Sequence, residues 1–242
     1  MEKNVHRAKS RGRTELGWLH SFHSFSFGDY YDPERIHFGK LRVLNDDAVE
    51  PGRGFSRHPH NNMEIVSLPL EGALKHQDST GTLQVIRKGE VQIMSAGTGV
   101  FHSEYNNSDT EMVHFLQIWV LPKEKDIPPR YGQESFDADG RHNRFQTVVS
   151  PDGREGSLRI NQDTFFSLSS IDSGISCVYT LKAPGNGLYL FLIGGRIEIA
   201  GETLEKRDAI GLTGISEVAI QSLDRSEMVC IEVPVEGSQN QS

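Results

Sequence analysis

The chain reads as all-β, two related barrels in tandem, and three observations predict this. Short apolar runs are separated by Gly, Asn, Asp and Pro turns at close intervals. No long stretch holds apolar residues at sustained 3.6 spacing, so helices should be few and short. A pattern of apolar run, glycine and new strand occurs twice, at 65–74 and at 188–197. Each copy passes through a polar turn to a short apolar strand, 92–94 or 209–212, and closes on a long one, 114–121 or 228–233. The copies match in pattern and not in identity. Many short strands with turns between them favour a barrel or a sandwich.

In order, the first half offers strands at 41–44, 64–70, 83–86, 91–95, 113–121 and 145–150. The second half offers 158–160, 177–181, 188–193, 196–200, 218–221 and 228–233. Pro122, Pro128 and Pro129 interrupt the strand pattern between the halves. The expected division is a first barrel at 1–122, a linker at 123–140 and a second barrel at 141–242. Before the first strand, Lys3, Arg7, Lys9, Arg11 and Arg13 form a small basic cluster, read as a solvated or frayed terminus.

Composition limits the function classes. A formal net charge of -8 argues against direct nucleic-acid binding, which needs a basic footprint. Two cysteines, Cys177 and Cys230, are not a secreted disulfide framework, although a bond between them stays open at this level. The N-terminus lacks the apolar core of a secretory signal. No apolar run approaches the roughly 20 residues that span a bilayer. The expectation is a cytoplasmic protein without a membrane partner.

Two blocks carry the candidate chemistry. Gly54-Phe55-Ser56-Arg57-His58-Pro59-His60-Asn61-Asn62-Met63-Glu64 holds His58 and His60; Gly97-Thr98-Gly99-Val100-Phe101-His102-Ser103-Glu104 holds His102 and Glu104. Spacing of i, i+2 puts both side chains of a pair on one face of a strand. Two such strands facing each other would converge three imidazoles and a carboxylate, a donor set suited to one divalent first-row metal. Pro59 restricts the backbone between the first two ligands.

Glu64 counts onto the same face as His60, as a fifth ligand or, preferably, as a carboxylate bonded to a ligand imidazole. Asn106 faces the side of Glu104 as a polar pocket group. His23 is placed at the pocket mouth or as a packed histidine. His76 and His114 read as structural, and His6, His20, His37 and His142 lack a partner at ligand spacing. Phe101 and Tyr105 alternate away from the metal and read as core, which leaves Phe22 or Phe25 to supply aromatic pocket contacts. All histidines fall at or before His142, so only the first barrel can hold such a metal.

At these residues the chain resembles the cupin superfamily, and within it the pirin family. The first cupin motif, G-x5-H-x-H-x3,4-E-x6-G, is followed by Gly52, His58, His60, Glu64 and Gly72, with one extra residue before the last. The second, G-x5-P-x-G-x2-H-x3-N, is followed by Gly89, Gly97, His102 and Asn106, with Ser95 replacing its proline and a longer gap before His102. These departures are pirin-like, as are 94–99 and 102–104. The blocks 17–25, 42–47 and 117–122 resemble the bacterial branch. The resemblance is dense from about residue 12 to 165 and thin beyond.

The resemblance implies a bicupin with one metal at His58, His60, His102 and Glu104. Iron is the first expectation, with manganese, nickel, cobalt, copper or zinc as the others. It implies quercetin 2,3-dioxygenase activity, with a flavonol and dioxygen as the substrates; in that reaction Glu104 is the expected base for the 3-hydroxyl, and carbon monoxide is released. The alternative it implies is an iron-binding redox sensor that contacts a transcription regulator or an enzyme.

Overall fold

The computed structural model describes residues 1–235. It is nearly all β, and its helical content among the described residues is three short 3-10 turns, Ala8–Ser10, Ala138–Arg141 and Arg154–Gly156. Two barrels are each built from a seven-stranded and a four-stranded sheet, antiparallel throughout except where Leu158–Arg159 pairs parallel to Gln146–Ser150 at the edge of the second barrel. In the first, the large sheet runs Arg130–Ser135, Glu90–Ser95, Glu64–Glu71, Val113–Val120, Leu41–Val49, Leu19–His23 and Gly12–Glu15. Its small sheet runs Gly54–His60, Val100–Asn106, Ala73–Asp78 and Leu83–Arg87.

Period-two alternation sorts each strand of the large sheets into an inward and a seam face. On Val113–Val120, Val113, Phe115, Gln117 and Trp119 point into the barrel, while Leu116, Ile118 and Val120 join the largest apolar cluster. On Asn186–Gly194, Leu188, Leu190 and Leu192 fill the second barrel, while Tyr189 and Phe191 join that same large cluster. The largest core of the molecule therefore lies between the barrels, where their two seven-stranded sheets meet.

Two domain boundaries need correction. Glu2–His6 pairs with Ala209–Thr213 and is an edge strand of the second barrel, not part of the first. Val5 packs into the second barrel's core, and His6 Nδ1 lies 2.9 Å from the Tyr189 hydroxyl. The basic terminus is not frayed. Lys3 and Arg7 pair with Glu202 and Asp208, and Arg11, 4% exposed, pairs with the buried Asp46. Asp46 also accepts from His114 at 2.8 Å and pairs with Arg207 of the second barrel at 3.1 Å. Burial opposes its charge, but these partners outweigh burial and hold the carboxyl below its usual range.

The expected linker contains a further correction. Arg130–Ser135 pairs along its whole length with Glu90–Ser95, so the first barrel's sheet extends through Ser135. The prolines end one strand, but the chain returns to the same sheet. Cys177 and Cys230 are both free thiols.

Candidate metal centre

The small sheet of the first barrel carries the site. Gly54–His60 and Val100–Asn106 are not opposed across the barrel but are antiparallel neighbours, with His58 directly opposite His102. Gly54–His60 is the edge strand, which accommodates Pro59. The register shifts between His102 and Glu104, where Ser56 and Arg57 bulge against Ser103. That extra residue turns Phe55, His58 and His60 all toward the pocket. Gly54 permits the close approach, because a Cβ there would lie 2.2 Å from the Glu104 carbonyl oxygen.

His58, His60 and His102 converge. Their ring centroids lie 4.4 to 4.9 Å apart, and their ligand atoms lie within 4.8 Å of one another. His58 Nδ1 lies 2.8 Å from the Ser56 carbonyl oxygen, which can only accept; Nδ1 is thus the protonated nitrogen and Nε2 keeps its lone pair. His102 Nε2 is buried without a hydrogen-bond partner, while its Nδ1 lies 3.5 Å from His76 Nδ1. His76 Nε2 lies 3.0 Å from Asp78 Oδ2. The network assigns the protons: His76 donates to Asp78 and accepts from His102 Nδ1–H, leaving His102 Nε2 as an unprotonated donor atom.

An orphaned buried nitrogen beside two further imidazoles fits a bound metal ion. Burial, with the neighbouring His102 and His58 adding to it, pushes His60 down to about 4. Burial, with His58 and His76 adding to it, pushes His102 down to about 3. Both rings are neutral at physiological pH, the form a metal needs.

Glu104 stands slightly apart from the triad. It groups with His102 and His76, its register partner across the strand pair, in a second cluster that shares His102. Gln117 Nε2 donates to its Oε2 at 2.7 Å, and Ser67 Oγ donates to its Oε1 at 3.3 Å. Those bonds orient the carboxylate and leave further lone pairs.

A cavity of about 240 Å³ opens beside the triad. His58, His60, Glu104 and Gln117 line its polar end; Phe27, Phe55, Leu19 and Trp119 line its apolar walls. Ser21, His23, Asn45 and Asp47 make a polar patch. His23 is thus both a pocket residue and a packed one, with Nδ1 2.8 Å from Asn45 Oδ1 and Nε2 2.8 Å from Thr14 Oγ1. Asp47 is buried and bonded by Ser21. Burial pushes its carboxyl up to about 7, aided by Asp46 and Glu104 and opposed by the Ser21 bond.

Several expected pocket residues lie elsewhere. Asn62, at φ 48°, breaks the extended run after His60, so the face count to Glu64 fails. Glu64 shares the seam face with Val66 and Leu68, and its carboxylate accepts from Ser95 Oγ at 2.8 Å and Asn161 N–H at 3.1 Å. Asn106 braces a turn, donating to the Val49 and Glu111 carbonyls. Phe101 and Tyr105 do point away from the pocket, but they are exposed and not core. Phe25 packs in the seam, and Phe22 lies under the Arg11 and Arg13 guanidiniums. His76, read as structural, is the side chain that orients His102. Its alternation with Glu104 across two paired strands was invisible without the register.

Residues 4–120 match the family described as Pirin. The chain belongs to the pirin family. Residues 147–233 match a quercetinase C-terminal cupin domain, so both barrels are cupin domains. The chain is 41% identical over 231 residues to a protein of Escherichia coli K12 named quercetin 2,3-dioxygenase, covering 95% of this chain and 98% of that one. A Pseudomonas aeruginosa relative named putative quercetin 2,3-dioxygenase is 40% identical over 92% of this chain and 95% of its own. The crystal structure of bacterial pirin YhhW from Escherichia coli, in complex with nickel(II), superposes with a TM-score of 0.91 at 38% identity, covering 97% of this chain and 100% of that one.

Proposed function

We propose that this pirin is a metal-dependent dioxygenase that cleaves a flavonol such as quercetin with O2 in the cytoplasm. The observation that carries the reading is the His58–His60–His102 convergence, with His102 Nε2 orphaned, at the end of an aromatic-walled pocket. The names of the full-length relatives support it.

His58, His60 and His102 would hold the metal, with Glu104 beside them as the fourth donor. We propose iron; the same nitrogen and oxygen donors also suit nickel, the metal in the Escherichia coli pirin crystal. A bound divalent ion supplies Lewis acidity toward a hydroxy-ketone and redox chemistry with dioxygen. Phe27, Phe55 and Trp119 would flank the flavonol rings and exclude water. Glu104, oriented by Gln117 and Ser67, would take the 3-hydroxyl proton on a carboxylate oxygen. His76 and Asp78 keep His102 in the tautomer that presents Nε2.

Loss of quercetin absorbance and oxygen uptake, followed together on the metal-loaded protein, test the activity. Coupled consumption is expected. No turnover with iron, manganese, nickel, cobalt or copper would exclude the dioxygenase role.

A further inference from the structure

We propose that the cleft between the barrels is a second ligand site, for a small organic anion with a doubly charged head, such as a phosphomonoester, on an apolar body. The cleft encloses about 360 Å³, within the size range of small-molecule pockets. Leu68 lines it from the seam face of its strand, while the neighbouring Ser67 faces Glu104, so the sheet separates this cleft from the metal pocket.

Lys88, Arg141, Lys206, Arg207 and Arg225 line the cleft against only Glu71 and Glu227. That excess of cations stands out in a chain whose net charge is -8. Arg207 is committed to Asp46 and to the Ile193 carbonyl. Among the described residues, Lys88, Lys206 and Arg225 make no ion pair within 4.0 Å and no hydrogen bond. Like charges gathered without counter-charges repel one another, and an anion relieves that cost.

One unpartnered group points to a specific ligand and not to a diffuse ion cloud. Arg141 lines the cleft, and its Nη1 is buried without a hydrogen-bond partner. Buried donors in folded proteins are normally satisfied, so such a group at a cavity calls for an acceptor. A guanidinium suits phosphate oxygens. Leu70, Leu168, Ile193 and Met228 supply the apolar surface for the rest of the molecule. Both barrels and the Ala138–Arg141 turn contribute, so the site exists only in the assembled chain.

The test is calorimetric titration of the metal-loaded full chain with phenyl phosphate, inorganic phosphate and benzoate. Saturable one-to-one binding of phenyl phosphate is expected, several-fold tighter than either other probe. Arg141→Gln, and separately the exposed pair Lys206→Gln with Arg225→Gln, should each weaken it roughly tenfold. Thermal melts check that these variants stay folded. His58→Ala should leave the affinity unchanged, since the metal pocket is on the other side of the sheet. Absence of saturable binding, survival of full affinity in both cleft variants, or loss of binding in His58→Ala would overturn the proposal.

Discussion

The two barrels share sheet sizes and the order of their central strands, yet only one is filled. The second barrel's interior is one continuous apolar cluster around Leu188, Leu190, Ile197, Ile210 and Ile220. The first barrel's interior is divided into a cluster around Phe115 and Leu74 and a smaller one around Ile65 and Met94. Between them lie Ser67, Gln117, Glu104 and the histidines. The difference comes down to what stands at inward positions on equivalent strands.

The two buried carboxylates make the contrast sharper. Glu232, inward in the second barrel, accepts from Lys182 N–H, Ala183 N–H, Asn186 Nδ2 and the Tyr179 hydroxyl. Its acceptor sites are consumed by the fold. Glu104, inward in the first, has two donors and an open pocket. One carboxylate is an internal strut, and the other is held ready for a ligand. The first barrel gives up apolar filling, and the seam with its neighbour supplies the packing instead.

The largest expected effect follows from that seam. A chain ending at Arg144 would uncover Val66, Leu68, Leu116 and Ile118, and Asp46 would lose Arg207. It should lose cooperative melting or solubility. A melt as sharp and as high as that of the whole chain would show that the first barrel needs no partner.

Next in size is the carboxylate pair. Glu232→Gln puts an amide donor among saturated donors and should cost about 2–4 kcal/mol in chemical denaturation, with metal content unchanged. Glu104→Gln should cost less than about 1 kcal/mol, because the Gln117 amide can reverse. Its turnover of quercetin should fall about a hundredfold or more. Equal destabilisation by the two changes would erase the contrast between strut and donor.

A smaller, pH-dependent effect separates the polar patch of the pocket from the core. Asp47 has its folded pKa raised from 3.8 to about 7, so the folded state holds its proton longer than the unfolded state does. Its stabilisation is therefore complete below about pH 4 and is lost as pH rises to about 7. Asp47→Asn keeps a partner for Ser21 and removes the titration. The metal-free variant should match wild type near pH 4 and exceed it by about 1–4 kcal/mol at pH 8. Parallel stability curves across that range would show that Asp47 titrates normally.

The fold class, the two-barrel pattern and the histidine triad were all legible in local spacing. Period-two alternation announces strands, and His-x-His on one strand announces a shared face. What escaped depends on long-range pairing. Glu2–His6 is short and polar and becomes a strand only by meeting Ala209–Thr213. Arg130–Ser135 follows two prolines and is recruited by Glu90–Ser95. Glu64 counted onto the ligand face until the left-handed Asn62 reset the alternation. The bulge at Ser56 and Arg57, which turns Phe55 and His58 to one side, leaves no compositional trace. The role of His76 needs the register with Glu104 and the Asp78 bond together.

The central claim is that the hollow barrel is hollow because it holds one metal through His58, His60 and His102, with Glu104 beside them. Elemental analysis of untagged protein tests it most directly, comparing wild type with the His58→Ala, His102→Ala double variant. Wild type should carry about one transition-metal ion per chain and the double variant almost none, with both still folded. Full occupancy in the double variant would place the metal elsewhere and contradict the account.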